Sequence, residues 1–208
     1  MAKGRTKLAA TVGVVENGNS AVLVTVSPSG DLLDRRSVDL TEPGTPTHPH
    51  HHQGSWAVGR YLNSPWAQKI SLPEAIALVE QVRALSARGA RESLEALAAS
   101  LSTPIGAISL RVCPDLPPTT EERIRDHHAQ TFADSVMYRE ALASAAEARG
   151  WSVYWYDRES VFDDAAKSLG DADIDAVLLA MGRSVGSPWQ AKHKLAAAAA
   201  LAAGFGRR

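Results

Sequence analysis

The chain has 208 residues, with 22 Lys and Arg against 23 Asp and Glu, so its formal net charge at pH 7 is -1. This length favours one domain, and the balanced charge excludes a general attraction to nucleic acid, so binding would need a local basic patch. The single cysteine, Cys113, excludes an internal disulfide and a multi-cysteine zinc site and predicts a reducing, cytoplasmic location. No stretch approaches the roughly 20 apolar residues of a membrane span, so no membrane partner is expected.

The N-terminal part predicts three consecutive strands, at residues 11–15, 21–27 and 32–40. Asn17-Gly18 separates the first two, and this pair is typical of a tight hairpin because glycine tolerates φ > 0. The turn residues between Ser27 and Asp31 predict a second hairpin. The first strand therefore ends at Glu16, a position where metal ligands and catalytic acids often lie.

Residues 41–69 break this pattern with Pro, Gly, His and Trp, which indicates an insertion in a single domain covering 1–208. We expect this loop to be poorly ordered unless it packs on another subunit or a protein partner. A homodimer is predicted because the loop carries apolar side chains that would be unusual if left exposed, namely Trp56, Val58, Tyr61 and Trp66.

Four histidines in this loop, His48, His50, His51 and His52, could bind Zn or Ni through neutral imidazoles. They are so closely spaced in a Pro-rich stretch that they cannot all reach one ion. A flexible polar loop is the favoured interpretation.

The rest of the chain predicts helices that alternate with strands. Ser71 and Glu74 form a capping box that starts a long helix, with Gly89 as a candidate bend or break. A strand follows at 105–112, and a second capping box from Thr119 to Glu122 starts a helix that runs to residue 149. A strand is predicted at 151–156, and helices at 159–169, 174–181 and 189–203. Antiparallel strands followed by this alternation indicate an α/β domain with a mixed sheet.

Three local patterns resemble the RNase H-like superfamily, in its branch of RuvC-type Holliday-junction resolvases. They cover most of the chain outside 41–69. The resemblance implies a mixed five-stranded sheet flanked by helices, with three antiparallel strands and then parallel ones. The patterns are Val14-Val15-Glu16-Asn17-Gly18 at the end of the first strand, residues 146–161 around the fifth strand, and residues 186–198 at the last helix.

The resemblance also implies a metal site, because the family's first strand ends in a metal-binding aspartate and Glu16 stands in that register. The family has a glutamate where this chain has Arg111 and its neighbours, and an aspartate in the last helix where this chain has Ala196. Only Glu16 and His193 match the family's ligands, and Asp115 is a candidate substitute. The set of catalytic acids is therefore divergent and incomplete.

If the site is active, Glu16, Asp115 and His193 would hold Mg or Mn, and a metal-activated water would cleave DNA or RNA. Lys192, Lys194 and Arg111 would then contact the nucleic acid.

Each of these residues also has a simpler interpretation. Glu16 and Asp115 are common turn residues, and His193 lies between two lysines typical of a surface. Arg111, on a predicted central strand, needs a partner such as Glu16 or Asp134, and that ion pair would replace a metal. Three functions stay open: a RuvC-like, metal-dependent nuclease; a catalytically degenerate binding or assembly module of the same fold; and a small-molecule enzyme. In all of them, Glu16 and His193 are expected to lie close together in one cleft.

Overall fold

The structure is a computed structural model and describes residues 9–205. Its five strands are β1 (Ala10–Asn17), β2 (Ser20–Val26), β3 (Leu32–Asp39), β4 (Ile105–Arg111) and β5 (Ser152–Tyr156). They form one sheet in the order β3-β2-β1-β4-β5. The first three strands are antiparallel neighbours, whereas β4 and β5 run parallel to β1. The predicted mixed sheet with a central first strand is confirmed, and its order and directions are those of the RNase H-like fold.

The helices occupy the connections between and after the strands. Within residues 9–205, no helix is both long enough and apolar enough to cross a lipid bilayer. The helices are α1 (Gln53–Ala57), α2 (Leu72–Ser100), α3 (Thr120–Arg125), α4 (His127–Glu147), α5 (Val161–Ser168), α6 (Ile174–Val185) and α7 (Ala191–Phe205).

One face of the sheet is covered by α2 and α4, whose apolar side chains form a common core with β1, β2 and β4. Both predicted capping boxes are present, and the one at Ser71 starts α2. Gly89 does not break this helix, which is continuous from Leu72 to Ser100. A Cβ added there would lie 2.3 Å from the backbone oxygen of Leu40, so glycine lets α2 approach the chain that follows β3.

The predicted single helix at 120–149 is instead two helices, α3 and α4. Asp126 separates them, and its carboxylate accepts the backbone N–H groups of His128 and Ala129. This is the N-cap arrangement, which satisfies the free N–H groups at the start of a helix. The cap therefore sets the start of α4, the helix that carries Arg139, the partner of Glu16.

The opposite face is covered by α5, α6 and α7. A Cβ added to Gly13 on β1 would lie 1.8 Å from the backbone oxygen of Ala196 on α7. The alanines at 196–200 are all fully buried. Gly13 and the small alanines together let α7 lie directly on the central strand, which explains the alanine run as close packing.

Residues 41–69 do not form the flexible polar loop that their composition predicts. His50 is fully buried, and its Nδ1 lies 2.8 Å from Asp134 Oδ1 on α4. The same carboxylate accepts the backbone N–H groups of His50 and His51 at 2.9 and 3.0 Å. The flexible interpretation is wrong for His50, because a carboxylate on a distant helix binds both its backbone and its ring.

Further contacts fasten this segment within its own chain. The Tyr138 hydroxyl donates to the backbone oxygen of Thr47, and Arg60 donates to the backbone oxygen of Ile124 and to Gln130 Oε1. Trp56 is buried at 8% exposure. Residues 47–60 are therefore held by α3 and α4 without another subunit, which corrects the expectation of poor order for this part of the segment, and for residues 61–69 the expectation stays a prediction.

Candidate functional site at the carboxyl end of the sheet

A cleft of about 390 Å³ opens where β1, β4 and β5 end. These strands are parallel, so their carboxyl ends meet at one edge of the sheet, which is the usual place for a ligand in an open α/β sheet. The first turns of α5 and α7 complete its walls. The lining residues are Val15, Glu16, Arg111, Tyr156, Arg158, Phe162, Ala191, Lys192 and Leu195.

Glu16 lies in this cleft as predicted, but its partner is an arginine that the sequence did not indicate. Arg139 on α4 places Nη2 2.6 Å and Nε 2.7 Å from Glu16 Oε1. The two side chains are only 6% and 8% exposed. The predicted pairing of Arg111 with Glu16 or Asp134 is wrong, because Arg139 pairs with Glu16 and His50 pairs with Asp134.

Arg139 also binds the end of β4. Its Nη1 donates to the backbone oxygen of Val112 at 2.9 Å. Burial alone would lower the pKa of the guanidinium, but the hydrogen bond and the negative charge of Glu16 outweigh that effect and raise the pKa. Arg139 therefore stays charged, and it joins α4 to the ends of β1 and β4.

Cys113 lies beside this ion pair. Burial raises the pKa of its thiol, and the neighbouring Arg139 only partly offsets this. The thiol is therefore protonated at neutral pH and is not an activated nucleophile.

His193 caps a helix. It is buried, and its Nδ1 accepts the backbone N–H of Gln190 at 3.0 Å at the start of α7. Its ring stacks on Trp189, and Arg35 on β3 and Lys192 act on it electrostatically. His193 is absent from the residues that line the cleft around Glu16. The interpretation as a surface histidine is wrong, and the lone pair that a metal would use at Nδ1 is already bonded.

Asp115 does not complete a ligand set either. It is exposed, in the connection between β4 and α3. Among residues 9–205, no three or more His, Cys, Asp or Glu side chains are grouped so that they could hold a metal ion. Glu16, Asp115 and His193 are therefore not grouped around one point, and the expected Mg or Mn site stays a prediction. The histidines of residues 48–52 are likewise not grouped as Zn or Ni ligands would be.

Two of the three cations that the sequence suggested for nucleic-acid binding lie in the cleft. Arg111 and Lys192 line it as predicted, and Arg158, which the sequence did not single out, joins them. Lys194 is half-buried and does not line the cleft. Glu16 is the only carboxylate among the lining residues, and Arg139 already neutralises it.

Tyr156 forms the floor of the cleft. Its hydroxyl donates to the backbone oxygen of Val14 at 3.0 Å. Burial raises the pKa of this hydroxyl, and the charge of Glu16 adds to the effect. The positive charges of Arg111, Arg139 and Arg158 act in the opposite direction, as expected where several cations surround one ring.

Two of the residues in this site, Arg158 and Arg139, were missed by the sequence analysis. Arg158 follows the last residues of β5 by two positions, so the strand end was a usable signal. Arg139 lies among buried residues of α4, and an arginine on an otherwise apolar helix face indicates a buried acid partner without identifying it.

No protein-family model matches the sequence, and no curated protein matches it. Two solved structures are similar over nearly the whole chain. The complex of T. thermophilus RuvC with a Holliday junction substrate has 18% sequence identity and a TM-score of 0.48, over 96% of this chain and 95% of that chain. A second Thermus thermophilus RuvC structure has 16% identity and a TM-score of 0.45, over 95% of each chain. At these identities the likeness concerns the fold, and function is inferred from the cleft.

Proposed function

We propose that this chain is a non-hydrolytic nucleic-acid-binding module with an RNase H-like fold. The observation that supports this function is the charge of the cleft. Arg111, Arg158 and Lys192 line it, while its one carboxylate is neutralised by a fourth cation from α4. A cleft lined by three cations, with its one carboxylate neutralised, favours a polyanion such as a phosphodiester backbone.

The aromatic side chains of the cleft suit the same ligand. Tyr156 and Phe162 line it beside the cations. Aromatic rings next to arginines are typical of sites where bases stack while the backbone is bound by charge. The chain as a whole is close to neutral, so this local patch is what would direct a nucleic acid to the end of the sheet.

Metal-dependent phosphodiester hydrolysis is the second function that the resemblance implies. For it, Glu16, Asp115 and His193 stay predicted ligands of Mg or Mn. Two divalent cations held about 4 Å apart need several oxygen ligands to neutralise them. The arrangement of these three side chains favours binding without cleavage.

The first prediction concerns binding to labelled nucleic acids. We expect fluorescence anisotropy to show binding of at least one of four probes: a four-way DNA junction, a DNA duplex, a DNA single strand and an RNA single strand. Binding should persist in EDTA, because no metal is needed to neutralise the cleft. The triple variant Arg111→Ala, Arg158→Ala, Lys192→Ala should bind at least about tenfold more weakly. Its log–log salt slope should be smaller by roughly 2, since each lost phosphate contact removes about 0.7–0.9.

The matched control is Arg91→Ala, which removes an exposed arginine from α2 on the other side of the sheet from α7. It should leave both the affinity and the salt slope unchanged. Equal affinity of the wild type and the triple variant for all four probes would contradict the proposed function. Cleavage of a probe that depends on Mn and is abolished by Glu16→Gln would support the nuclease instead.

A further inference from the structure

We infer that Arg139 is a built-in counter-ion that takes the place of a metal at Glu16, so the cleft excludes divalent cations by its own guanidinium. This inference deepens the proposed function at the same site. Its test measures metal and not nucleic acid, so the two proposals can fail separately.

The contacts of Arg139 are those that a cation at this position would make. The guanidinium binds Glu16 Oε1 through Nε and Nη2, and it binds the backbone oxygen of Val112 through Nη1. A carboxylate and a backbone carbonyl are both hard oxygen groups of the kind that Mg and Mn prefer. Arg139 therefore already binds the two oxygen groups that a metal at this end of β1 would use.

The positive charge of Arg139 stabilises its contacts with Glu16 and the Val112 carbonyl. The guanidinium is always protonated at neutral pH, and both partners of the pair are almost fully buried. A divalent cation near Glu16 would have to displace Arg139 or approach a fixed positive charge within a few ångströms. Arg111, Arg158 and Lys192 around the same cleft add to this repulsion.

Removing Arg139 should allow a divalent cation to bind beside Glu16. A buried carboxylate without a partner must take up a proton or a cation. The variant Arg139→Ala would leave Glu16 and the Val112 carbonyl facing a space large enough for water and an ion. A weak Mn site is then expected, because two oxygen groups and several waters form an incomplete but usable ligand set.

The experiment is Mn titration followed by the EPR signal of the free ion. Wild type should show no saturable site at Mn concentrations up to about 1 mM, the range of weak oxygen-ligand sites. Arg139→Ala should bind one Mn per chain in that range, and Arg139→Ala with Glu16→Gln should lose it. Arg139→Gln is a second variant, which keeps amide donors for the two oxygen groups but removes the charge. It should fold even where Arg139→Ala does not, and it should also gain Mn affinity.

The matched control is Arg83→Ala on α2. Arg83 also pairs with acids, Glu80 and Glu140, but its side chain is 35% exposed. Its removal should create no Mn site, because water already screens that pair. The inference is overturned if wild type binds one Mn that Glu16→Gln abolishes. It is equally overturned if folded Arg139→Gln and Arg139→Ala bind no more Mn than wild type, since Arg139 would then only join β1, β4 and α4.

Discussion

The His193 side chain is of a type that binds metals, but here it accepts a hydrogen bond from the backbone. Its Nδ1 accepts the N–H of Gln190, which fixes the neutral tautomer with the proton on Nε2. Protonation of Nδ1 would replace this acceptor by a donor. Burial lowers the pKa of the ring, and the positive charges of Arg35 and Lys192 lower it further.

This geometry predicts a loss of stability on mild acidification. Because the pKa of His193 is lower in the folded state, the unfolded chain binds the proton more readily. The contribution is therefore complete above the ordinary pKa of 6.5 and is lost as the pH falls below it. The free energy of unfolding, measured by urea denaturation between about pH 7.5 and 5, should fall less in His193→Gln than in wild type.

Glutamine is the informative replacement. At position 193, the third residue of α7, its side-chain oxygen can accept the N–H of Gln190, and unlike histidine it does not titrate. The difference between the two proteins also separates His193 from His52, whose pKa is lowered by burial as well. Parallel pH profiles of the two proteins would contradict this role for His193.

The residue-level predictions succeeded where a local pattern carried the information. Glu16 lies near the strand end because the turn follows Asn17, although the two turn residues are Gly18 and Asn19 and not the predicted Asn17-Gly18 pair; Gly18 has φ +59°. Its partner Arg139 is 123 positions away. That pairing depends on how α4 packs on the sheet, and no spacing in the sequence encodes it. Arg111 is expected to pair with Glu16 or Asp134 because a charge on a predicted central strand needs a partner, yet it lines the cleft instead.

At the scale of elements, the segment around His50 is held by one buried carboxylate. Asp134 on α4 accepts three hydrogen bonds from the backbone and the ring of this segment, across 84 positions of sequence. His50 and Asp134 are 0% and 4% exposed. Without this carboxylate, three buried donors would have no acceptor.

We predict that Asp134→Ala lowers the free energy of unfolding by roughly 3–5 kcal/mol, because it removes the acceptor of three hydrogen bonds from His50 and His51, and an unsatisfied donor costs about 1–3 kcal/mol. Glu140→Ala, on the same helix with a side chain 46% exposed, is the control and should cost less than about 1 kcal/mol. The free energies of unfolding of the two variants and of the wild type should be measured by urea denaturation. A cost for Asp134→Ala no greater than that for Glu140→Ala would show that the segment is held by its apolar contacts alone.

Helices and strands whose ends are marked by capping or turn residues could be predicted from the sequence. Both capping boxes are present, the first hairpin turns one residue later than predicted, at Gly18-Asn19, and the strand order follows from hairpins and helical crossovers. The break between α3 and α4 was missed, although Asp126 is a favoured capping residue. The packing of residues 41–69 was missed because its Pro and Gly content is equally typical of a free loop, and burial of His50 depends on Asp134.

At the scale of the whole molecule, the fold gathers positive charge that the overall composition hides. The parallel strands bring Arg111 and Arg158 to one edge, and α7 adds Lys192. The net charge of -1 is therefore unevenly distributed, with cations concentrated at the cleft. The residue types alone make these cations candidates, but only the strand order and the placement of α7 show that they line one cleft.

The predicted homodimer now depends on a smaller apolar surface than the sequence suggested. Trp56 is buried within the chain, whereas Tyr61, Leu62 and Trp66 are 50%, 58% and 65% exposed. Three large apolar side chains within six residues are unusual on a monomer, and burial of each would contribute roughly 1.5–3 kcal/mol to association. A second copy of the chain remains the partner that we predict for them.

Sedimentation equilibrium at micromolar concentration should therefore show a dimer of the wild type. The double variant Leu62→Ser, Trp66→Ser should shift it to monomer, because about 3–6 kcal/mol of apolar burial is lost from each copy. Leu179→Ser is the control, since Leu179 on α6 is also exposed, at 48%, but lies outside residues 41–69. A wild-type monomer would refute the dimer. Dissociation by Leu179→Ser, but not by the double variant, would move the interface to α6.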